Sequence, residues 1–263
     1  MLICKYILWL IFYSIVGWVY ETTLCSVEER KFVNRGFLNG PYCPIYGFGA
    51  ILDILLIGWI DNPFALFFVG MLVTCTLEYF TSYLLEVLFH AKWWDYSYMK
   101  FNIKGRVCLL GAIIFGTFSV VLIKFIHPFV IRQTSRLSDN AILIVTILLV
   151  LLILTDIVYT LVRFTGFQQK LRELHHYFEN ISIDTQGYME KTLSRIESRI
   201  ESQIEDNDTI TQIKERIKSV MMKTNNQEKR MLRAFPRFRH LRYNDVLVRF
   251  KEYIKQQGGG EDK

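Results

Sequence analysis

Four polar residues recur at every fourth position of one long apolar segment: Thr74, Glu78, Ser82 and Glu86. Side chains four residues apart lie on the same face of an α-helix, so these residues would form one polar stripe. A carboxylate deep in a bilayer costs at least about 3 kcal/mol, and it therefore normally faces a partner or a water-filled cavity. The stripe indicates that Glu78 binds a substrate or relays a proton. The alternative is that it makes polar contacts between helices.

Other apolar segments carry isolated charges. Ser14, Gly17 and Glu21 share one face of the first segment, Asp53 interrupts the second, and Asp156 lies in the last. Ionisable residues inside membrane helices usually face the interior of the bundle. We therefore expect these acids to point toward the stripe or toward partners on neighbouring helices.

The loop NRGFLNGPYCPIYGFGA, residues 34–50, is rich in glycine, proline and aromatic residues. Asn and Gly accept the backbone angles of tight turns, and Pro ends helices. Irregular backbone at membrane depth occurs only where it is buried in protein or lines a cavity. One interpretation is that the loop folds back into the bundle, bringing Arg35, Asn39 and Tyr46 to the acidic stripe. The other is an ordered turn with tight helix packing.

A second long loop, residues 91–108, contains the aromatic residues Trp93, Trp94, Tyr96 and Tyr98. Aromatic rings favour the headgroup region of a bilayer, which predicts an interfacial belt. Asp95 and Arg106 are the charges of this loop that we place near the stripe.

The apolar segments predict an all-α, polytopic membrane helical bundle. Crossing a bilayer takes roughly 20 helical residues, and the predicted spans, about five in number, are 3–24, 44–60, 64–89, 107–127 and 141–162. Residues 1–163 thus form the predicted transmembrane domain. Residues 164–263 contain 19 of the 31 Lys and Arg and no cysteine, and they predict a soluble helical tail.

Loop charges predict the orientation. Lys and Arg are more frequent in 25–43, 90–106 and the tail than in the other connections. Positive residues concentrate on the cytoplasmic side. We expect a multi-pass protein of the cell (plasma) membrane with a cytoplasmic tail and an external N-terminus.

The tail has two patterns. SRIESRIESQIE, residues 194–205, gives an isoleucine stripe flanked by charges, which indicates a helical hairpin or a coiled coil between copies through 185–225. Residues 221–257 are basic and amphipathic, with ten Lys and Arg and three Asp and Glu. Beneath a membrane this favours binding to anionic lipid, or else helices packed on the coiled coil. No nucleic-acid module accompanies the charge, so no nucleic-acid partner is expected. Residues 258–263 are predicted to be disordered.

Several classes of site lack their sequence signals. The five cysteines are dispersed and unaccompanied by a Cys or His spacing typical of zinc, so we assign no metal and no disulfide. The sequence contains no GxxxxGK[ST], HExxH or nucleophile elbow. We therefore assign no catalytic residue and no cofactor, and enzymatic activity remains the less favoured reading.

Five motifs in order resemble one family: GWVYE (17–21), the 34–50 loop, LEYFTSYLLE (77–86), WWDYS (93–97) and FNIKGRVC (101–108). The chain is similar, over about residues 1–160, to the Putative ABC-transporter type IV permease family of small bacterial integral membrane proteins. The resemblance implies a bacterial inner-membrane protein with permease function. Since the chain lacks a P-loop, a permease of this type requires a separate ATPase subunit.

The sequence thus leaves three functions open. Transport is the first, along a polar path that we assign to Glu78, Glu86, Ser82, Glu21, Arg35, Arg106, Asp95, Asn39 and Tyr46. The second is an enzyme that acts on a lipid within the membrane. The third is a scaffold or sensor whose helical tail recruits a partner. Membrane lipids are expected partners in each case.

Overall fold

The computed structural model describes residues 1–193 and 208–258. Nine α-helices account for most of these described residues. Their bounds are α1 Leu2–Glu29, α2 Pro44–Ile57, α3 Pro63–Phe89, α4 Leu109–Val121, α5 His127–Thr134, α6 Asp139–Leu193, α7 Asp208–Met222, α8 Asn226–Ala234 and α9 Asn244–Gly258. The predicted all-α membrane bundle is confirmed.

Four helical stretches are long and apolar enough to cross a membrane: Leu2–Glu29, Pro63–Phe89, Leu109–Thr134 and Asp139–Glu179. Their large apolar side chains point mostly outward, as Leu148, Leu151 and Val158 of α6 do. This arrangement suits a lipid environment, because lipid tails solvate such side chains.

The second predicted span is shorter than expected. Helix α2 has 14 residues, or roughly 21 Å at 1.5 Å per residue, which is less than the roughly 30 Å of a bilayer core. The physical reason lies in the preceding loop, which occupies part of the depth that a longer helix would fill. Helix α2 nevertheless runs from that loop to the opposite end of the bundle, where Lys124 donates to the carbonyl of Ile60 at 3.0 Å.

Local sequence explains the helix boundaries. Asn62 caps α3 by accepting from the amides of Phe64 and Ala65, and Pro63 occupies the first helical position, where its missing N–H is harmless. Pro128 disrupts the regular hydrogen bonding of a helix, because it lies inside a helical stretch and not at its start. It cannot donate to a carbonyl four residues earlier, and the adjoining residues Leu122–Ile126 form a π-helical turn between α4 and α5.

Helices α1 and α2 approach closely at two glycines. A Cβ on Gly47 would lie 2.2 Å from Ser14 Oγ and 2.3 Å from the carbonyl oxygen of Leu10. A Cβ on Gly17 would lie 2.2 Å from the ring of Tyr46. Small residues at helix interfaces allow such close packing in membranes. The predicted glycine-dependent packing and the predicted back-folding of the loop therefore occur together.

The far end of the bundle is held by hydrogen bonds between α1 and the α4–α5 stretch. Trp9 Nε1 donates to Thr134 Oγ1 at 3.0 Å, and the Tyr13 hydroxyl lies 2.9 Å from His127 Nδ1. These polar groups are buried, so each needs such a partner. They fix α1 against the end of the bundle opposite the 30–43 loop.

Short strands order the loop between α3 and α4. Strand β2 (Asn102–Ile103) pairs antiparallel with β3 (Val107–Cys108). Strand β1 (Ala91–Lys92) is hydrogen-bonded to a fourth short strand, β4 (Arg239–His240). The turn between β2 and β3 contains Gly105 at φ +68°, where a side chain would meet Asp95.

The described residues form two compact units. The first comprises residues 1–161 with 230–239, and the second comprises 162–229 with 240–263 as far as they are described. Helix α6 continues across residue 163, the predicted domain boundary, without a break.

The second unit has its own apolar core. Phe164, Phe167, Leu171 and Leu174 recur on one face of α6 and are almost fully buried, as are Val246, Leu247 and Phe250 of α9. Beside them, Lys170 pairs with buried Glu228 at 2.8 Å. Asn225 and Glu228 also exchange hydrogen bonds with each other's amides, which forms a capping box at the start of α8.

Part of the tail prediction cannot be compared with the structure. The isoleucine stripe at Ile196, Ile200 and Ile204 lies outside the described residues, as do residues 259–263. Pairing of helices through 185–225 therefore stays a prediction, and so does disorder at 259–263. Gly258, also predicted to be disordered, is instead the last residue of α9.

Candidate functional site

The 30–43 loop returns along α1 toward the centre of the bundle. The amide of Val33 donates to Ser26, the amide of Arg35 to Thr22, and the amide of Cys43 to the carbonyl of Ser14 at 2.9 Å. Ser26 and Ser14 are twelve residues apart on one helix, or roughly 18 Å along its axis. The loop thus reaches the middle of α1 before α2 begins.

Asp156 of α6 anchors the tip of this loop. Its Oδ2 accepts from the amide of Gly40 at 2.9 Å and from the Tyr42 hydroxyl at 2.5 Å. Its Oδ1 accepts from the amide and side chain of Asn39 at 3.2 and 3.0 Å and from Thr160 at 3.2 Å. A carboxylate that accepts several hydrogen bonds is stabilised in its charged form. The predicted site residue Asn39 therefore binds Asp156.

Glu21 of α1 joins the loop to α2. One carboxylate oxygen accepts from Arg35 Nε at 3.0 Å, and the other accepts from the Tyr46 hydroxyl at 2.7 Å. The ring of Tyr46 crosses α1 over Gly17, where no side chain obstructs it. The structure thus brings together three predicted site residues, Glu21, Arg35 and Tyr46, as one ion pair with an added hydroxyl donor.

Glu78 lies beside this group but does not contact Arg35. It is 5% exposed, and its Oε2 has no hydrogen-bond partner among the described residues. The Tyr96 hydroxyl lies within hydrogen-bonding reach of the carboxylate, and Glu21 is near enough for the two charges to interact. Burial and the nearby Glu78 charge raise the pKa of Tyr96, so this hydroxyl keeps its proton and can donate it in a hydrogen bond. In this conformation the carboxyl is closed off from water.

Glu86, at the end of the stripe, is paired with Arg106. The guanidinium donates to Glu86 Oε2 at 2.9 Å and to the Tyr79 hydroxyl at 3.0 Å, and it lies over the rings of Tyr79 and Tyr83. Arg106 is 8% exposed. The hydrogen bond to Glu86 raises the pKa of Arg106, which keeps the guanidinium charged in this buried place. Ser82, between Glu78 and Glu86, is buried as well.

Asp95 organises the 91–108 loop rather than the stripe. It accepts hydrogen bonds from the amide and hydroxyl of Ser97 and lies 3.5 Å from Arg239. Burial alone would raise the pKa of Asp95, but the bonds from Ser97 and the charge of Arg239 hold it below its usual value. These partners of Asp95 lie in its own loop and at Arg239, not on α3.

The predicted aromatic belt is wrong for Trp93. This residue is 3% exposed and packs against Phe37 of the 30–43 loop, Phe89 of α3 and Phe235 and Phe238 of the C-terminal region. Four neighbouring rings bury more apolar area than a headgroup layer would, which explains the difference. Tyr98 is exposed, as the belt prediction requires.

Comparison with known proteins agrees with this architecture. The family described as Putative ABC-transporter type IV matches residues 8–161, more than half of the chain. The chain belongs to this family. The match ends within α6, so the tail of this type IV family member lies beyond it. Neither the comparison with curated proteins nor that with solved structures found a match.

Sequence reasoning missed three contributors to the site of this type IV family member. Asp156 was recognised as an intramembrane charge but not connected to the loop, although Asn39 and Gly40 are natural donors. Tyr96 was assigned to the interface, and nothing in its local sequence indicates Glu78 as its neighbour. Arg230, which contacts the 30–43 loop from almost 200 positions away, carried no signal beyond its charge.

The arrangement has a definite chemical character. Glu21, Glu86 and Asp156 are each satisfied by a cation or by several donors, whereas Glu78 retains an oxygen without a partner. A buried carboxyl of this kind binds a proton or a cation most readily. Asp53 of α2 has a similar environment, since it is 2% exposed, bonds to Ser119 and leaves Oδ1 without a partner. Among the described residues, no group of three or more potential ligands is placed to hold a metal ion.

Proposed function

We propose that the chain is the membrane subunit of a transport system, permease-like and dependent on a separate ATPase for any ATP-driven step. Its polar path follows the acidic face of α3 from Arg106 and Glu86 to Glu78. The family assignment supports the class of protein. The path is our inference from the positions of the buried polar groups.

One observation carries the proposal: irregular backbone reaches the middle of a membrane bundle beside an incompletely satisfied acid. The 30–43 loop places the Cys43 amide at the depth of Ser14 and Arg35 at the depth of Glu21 and Thr22. Glu78 is near enough to Glu21 for the two charges to interact. Transporters commonly build binding sites from interrupted backbone near the bilayer midplane. A purely structural contact would be expected to satisfy both oxygens of Glu78.

Glu78 has the central role in this proposal. A proton or a cationic group of the substrate would neutralise the charge of Glu78 when the path opens. The Glu21–Arg35 pair lies next to it and would set the local potential. Glu86 and Arg106 would line the path toward the 91–108 loop.

The test begins with purification from native membranes. Transport predicts that an ATPase with a P-loop co-purifies, and that adding the membrane chain in lipid vesicles stimulates its ATP hydrolysis. Glu78→Gln should assemble with the ATPase but reduce this stimulation at least about tenfold, as loss of one charge-assisted contact would. Glu28→Gln, an exposed acid of α1, is the matched control and should behave like the unaltered chain.

A specific observation also favours the scaffold or sensor function. Residues 230–239, from the C-terminal region, belong to the same compact unit as the membrane helices. A scaffold predicts that the purified protein brings a signalling or lipid-processing partner and no ATPase. That result, together with unchanged behaviour of Glu78→Gln, would replace transport by the scaffold or sensor function.

A further inference from the structure

Residues 230–239, which we call the docking segment, bind the same loop that builds the site. Arg230 donates to the carbonyl oxygens of Gly36 at 3.1 Å and Phe37 at 2.9 Å, and it approaches that of Asn34 at 3.5 Å. The planar guanidinium presents five donors in a fixed fork, which matches a curved row of carbonyls. These three carbonyl oxygens, of Asn34, Gly36 and Phe37, form a concave site for a cation, which we call the carbonyl cup.

A second contact runs in the opposite direction. Arg35 donates to the carbonyl of Ala234 while it holds Glu21, and its guanidinium lies 4.5 Å from the centre of the Phe235 ring. Ala234 ends α8, where backbone carbonyls lack partners within the helix and carry partial negative charge. The docking segment therefore contacts Arg35, the side chain that forms the ion pair with Glu21.

The third contact is apolar. Phe37, Phe89 and Trp93 of the membrane unit pack together, and Phe235 and Phe238 contact Trp93 at ring separations of 5.1 and 5.0 Å. Both phenylalanines are buried. Aromatic pairs of this geometry contribute beyond the area that they bury. The three rings of the membrane unit form a slot for aromatic side chains.

Polar contacts at the end of the segment extend the same face. Arg237 lies 3.7 Å from the centre of the Tyr98 ring, and Arg239 pairs with Asp95 at 3.5 Å. The segment thus touches both loops that flank the acidic face of α3. Arg233, also in the segment, is exposed.

We propose that the 30–43 and 91–108 loops form a peptide-docking face, with a carbonyl cup for arginine and a slot for aromatic rings, and that its occupant is the chain's own docking segment. Docking holds Arg35 on Glu21 and covers the loop-side approach to Glu78. Release would free both loops at once. The regulatory role rests on the proposed transport function, whereas the docking itself does not.

The test measures how accessible the loop is in the full chain. Cys43 is the reporter, since it is 7% exposed and its Sγ lies 3.8 Å from the carbonyl of Arg35. With the other four cysteines replaced, Cys43 is labelled by a water-soluble maleimide in lipid nanodiscs. Arg230→Ala and Phe235→Ala should each speed labelling about tenfold or more, because loss of one strong contact shifts an opening equilibrium by that factor. Arg233→Ala, in the same helix, should stay within about twofold of the parent, as surface substitutions do.

A synthetic peptide of residues 226–240 supplies the second measurement. Added in excess to Phe235→Ala, it should slow labelling again, and the same peptide carrying Arg230→Ala should not. Where Arg230→Ala fails to fold, Arg230→Lys keeps the charge but loses the fork and should give an intermediate rate. Unchanged labelling in a folded Phe235→Ala variant, or equal acceleration by Arg233→Ala, would overturn the proposal. Because the readout needs no transport, absence of transport with accelerated labelling removes only the proposed function.

Discussion

Replacing Asp156 should release the loop that forms the site. The carboxylate accepts from two backbone amides, those of Asn39 and Gly40, and from the Tyr42 hydroxyl. Asp156→Ala would leave these partly buried donors without an acceptor, and a fully buried unsatisfied donor costs about 1–3 kcal/mol. Because these hydrogen bonds are only partly buried, we expect a loss of roughly 2–4 kcal/mol, below the roughly 3–5 kcal/mol found when one partner of a fully buried charged pair is removed.

Asp156→Asn tests the same reasoning more finely. The two oxygens each face a backbone N–H, Oδ1 that of Asn39 and Oδ2 that of Gly40. An amide has one oxygen, so in either orientation its NH₂ group meets an N–H donor. We therefore expect Asn, despite its identical size, to cost roughly 2 kcal/mol, about one unsatisfied donor.

The assay combines thermal unfolding in detergent with maleimide labelling of Cys43. Both Asp156 variants should lower the unfolding midpoint and speed labelling, with Ala worse than Asn. Asp139→Asn is the matched control, since it makes the same change at an exposed position of α6 and should cost less than about 1 kcal/mol. A folded Asp156→Ala variant with the parent's midpoint and an unlabelled Cys43 would refute the anchoring role.

Three further predictions follow from the bundle. Gly47→Ala should destabilise the protein by roughly 1–3 kcal/mol through overpacking, whereas Gly49→Ala, whose Cβ would first meet an atom at 3.5 Å, should be tolerated; unfolding midpoints distinguish them. Glu78→Gln should leave the unfolding midpoint nearly unchanged yet reduce ATPase stimulation at least about tenfold, and activity retained in both Gln and Leu variants would remove Glu78 from the path. A reporter fused after Lys263 should read cytoplasmic and one before Met1 external; the reverse result would invert the predicted orientation.

The sequence was sufficient to predict most of the membrane helices and the general position of the candidate site. Apolar length predicted α1, α3 and α6, and the turn residues around Asn34 and Asn39 indicated a loop that folds back. These signals are local, because helix period and turn chemistry depend on neighbouring residues. The length of α2 was overestimated, since its sequence cannot show that the loop before it occupies part of the membrane depth.

Partners across the bundle could not be predicted in the same way. Arg35 was expected near the acids of the stripe, and the structure pairs it with Glu21, an acid on α1. Charge complementarity alone allows either choice, and the contacts that favour Glu21, those of Arg35 with Ala234 and Phe235, come from about 200 residues away in the sequence. Asp156 gave a visible signal, yet which donors would meet it depends on the path of a loop more than 100 residues earlier.

The contrast between Glu21 and Glu78 follows from these contacts of Arg35. The two acids are near enough for their charges to interact, and Arg35 has one guanidinium that can pair with only one of them at a time. Its bond to Glu21 is reinforced from the other side by Ala234 and Phe235, so the docking segment favours that pairing. If the segment leaves, Arg35 loses these contacts while both acids remain, and the preference for Glu21 weakens. We therefore expect release of the docking segment to change the charge available to Glu78 through Arg35. A change in the carbodiimide reactivity of Glu78 on Phe235→Ala substitution would support this coupling, and unchanged reactivity would contradict it.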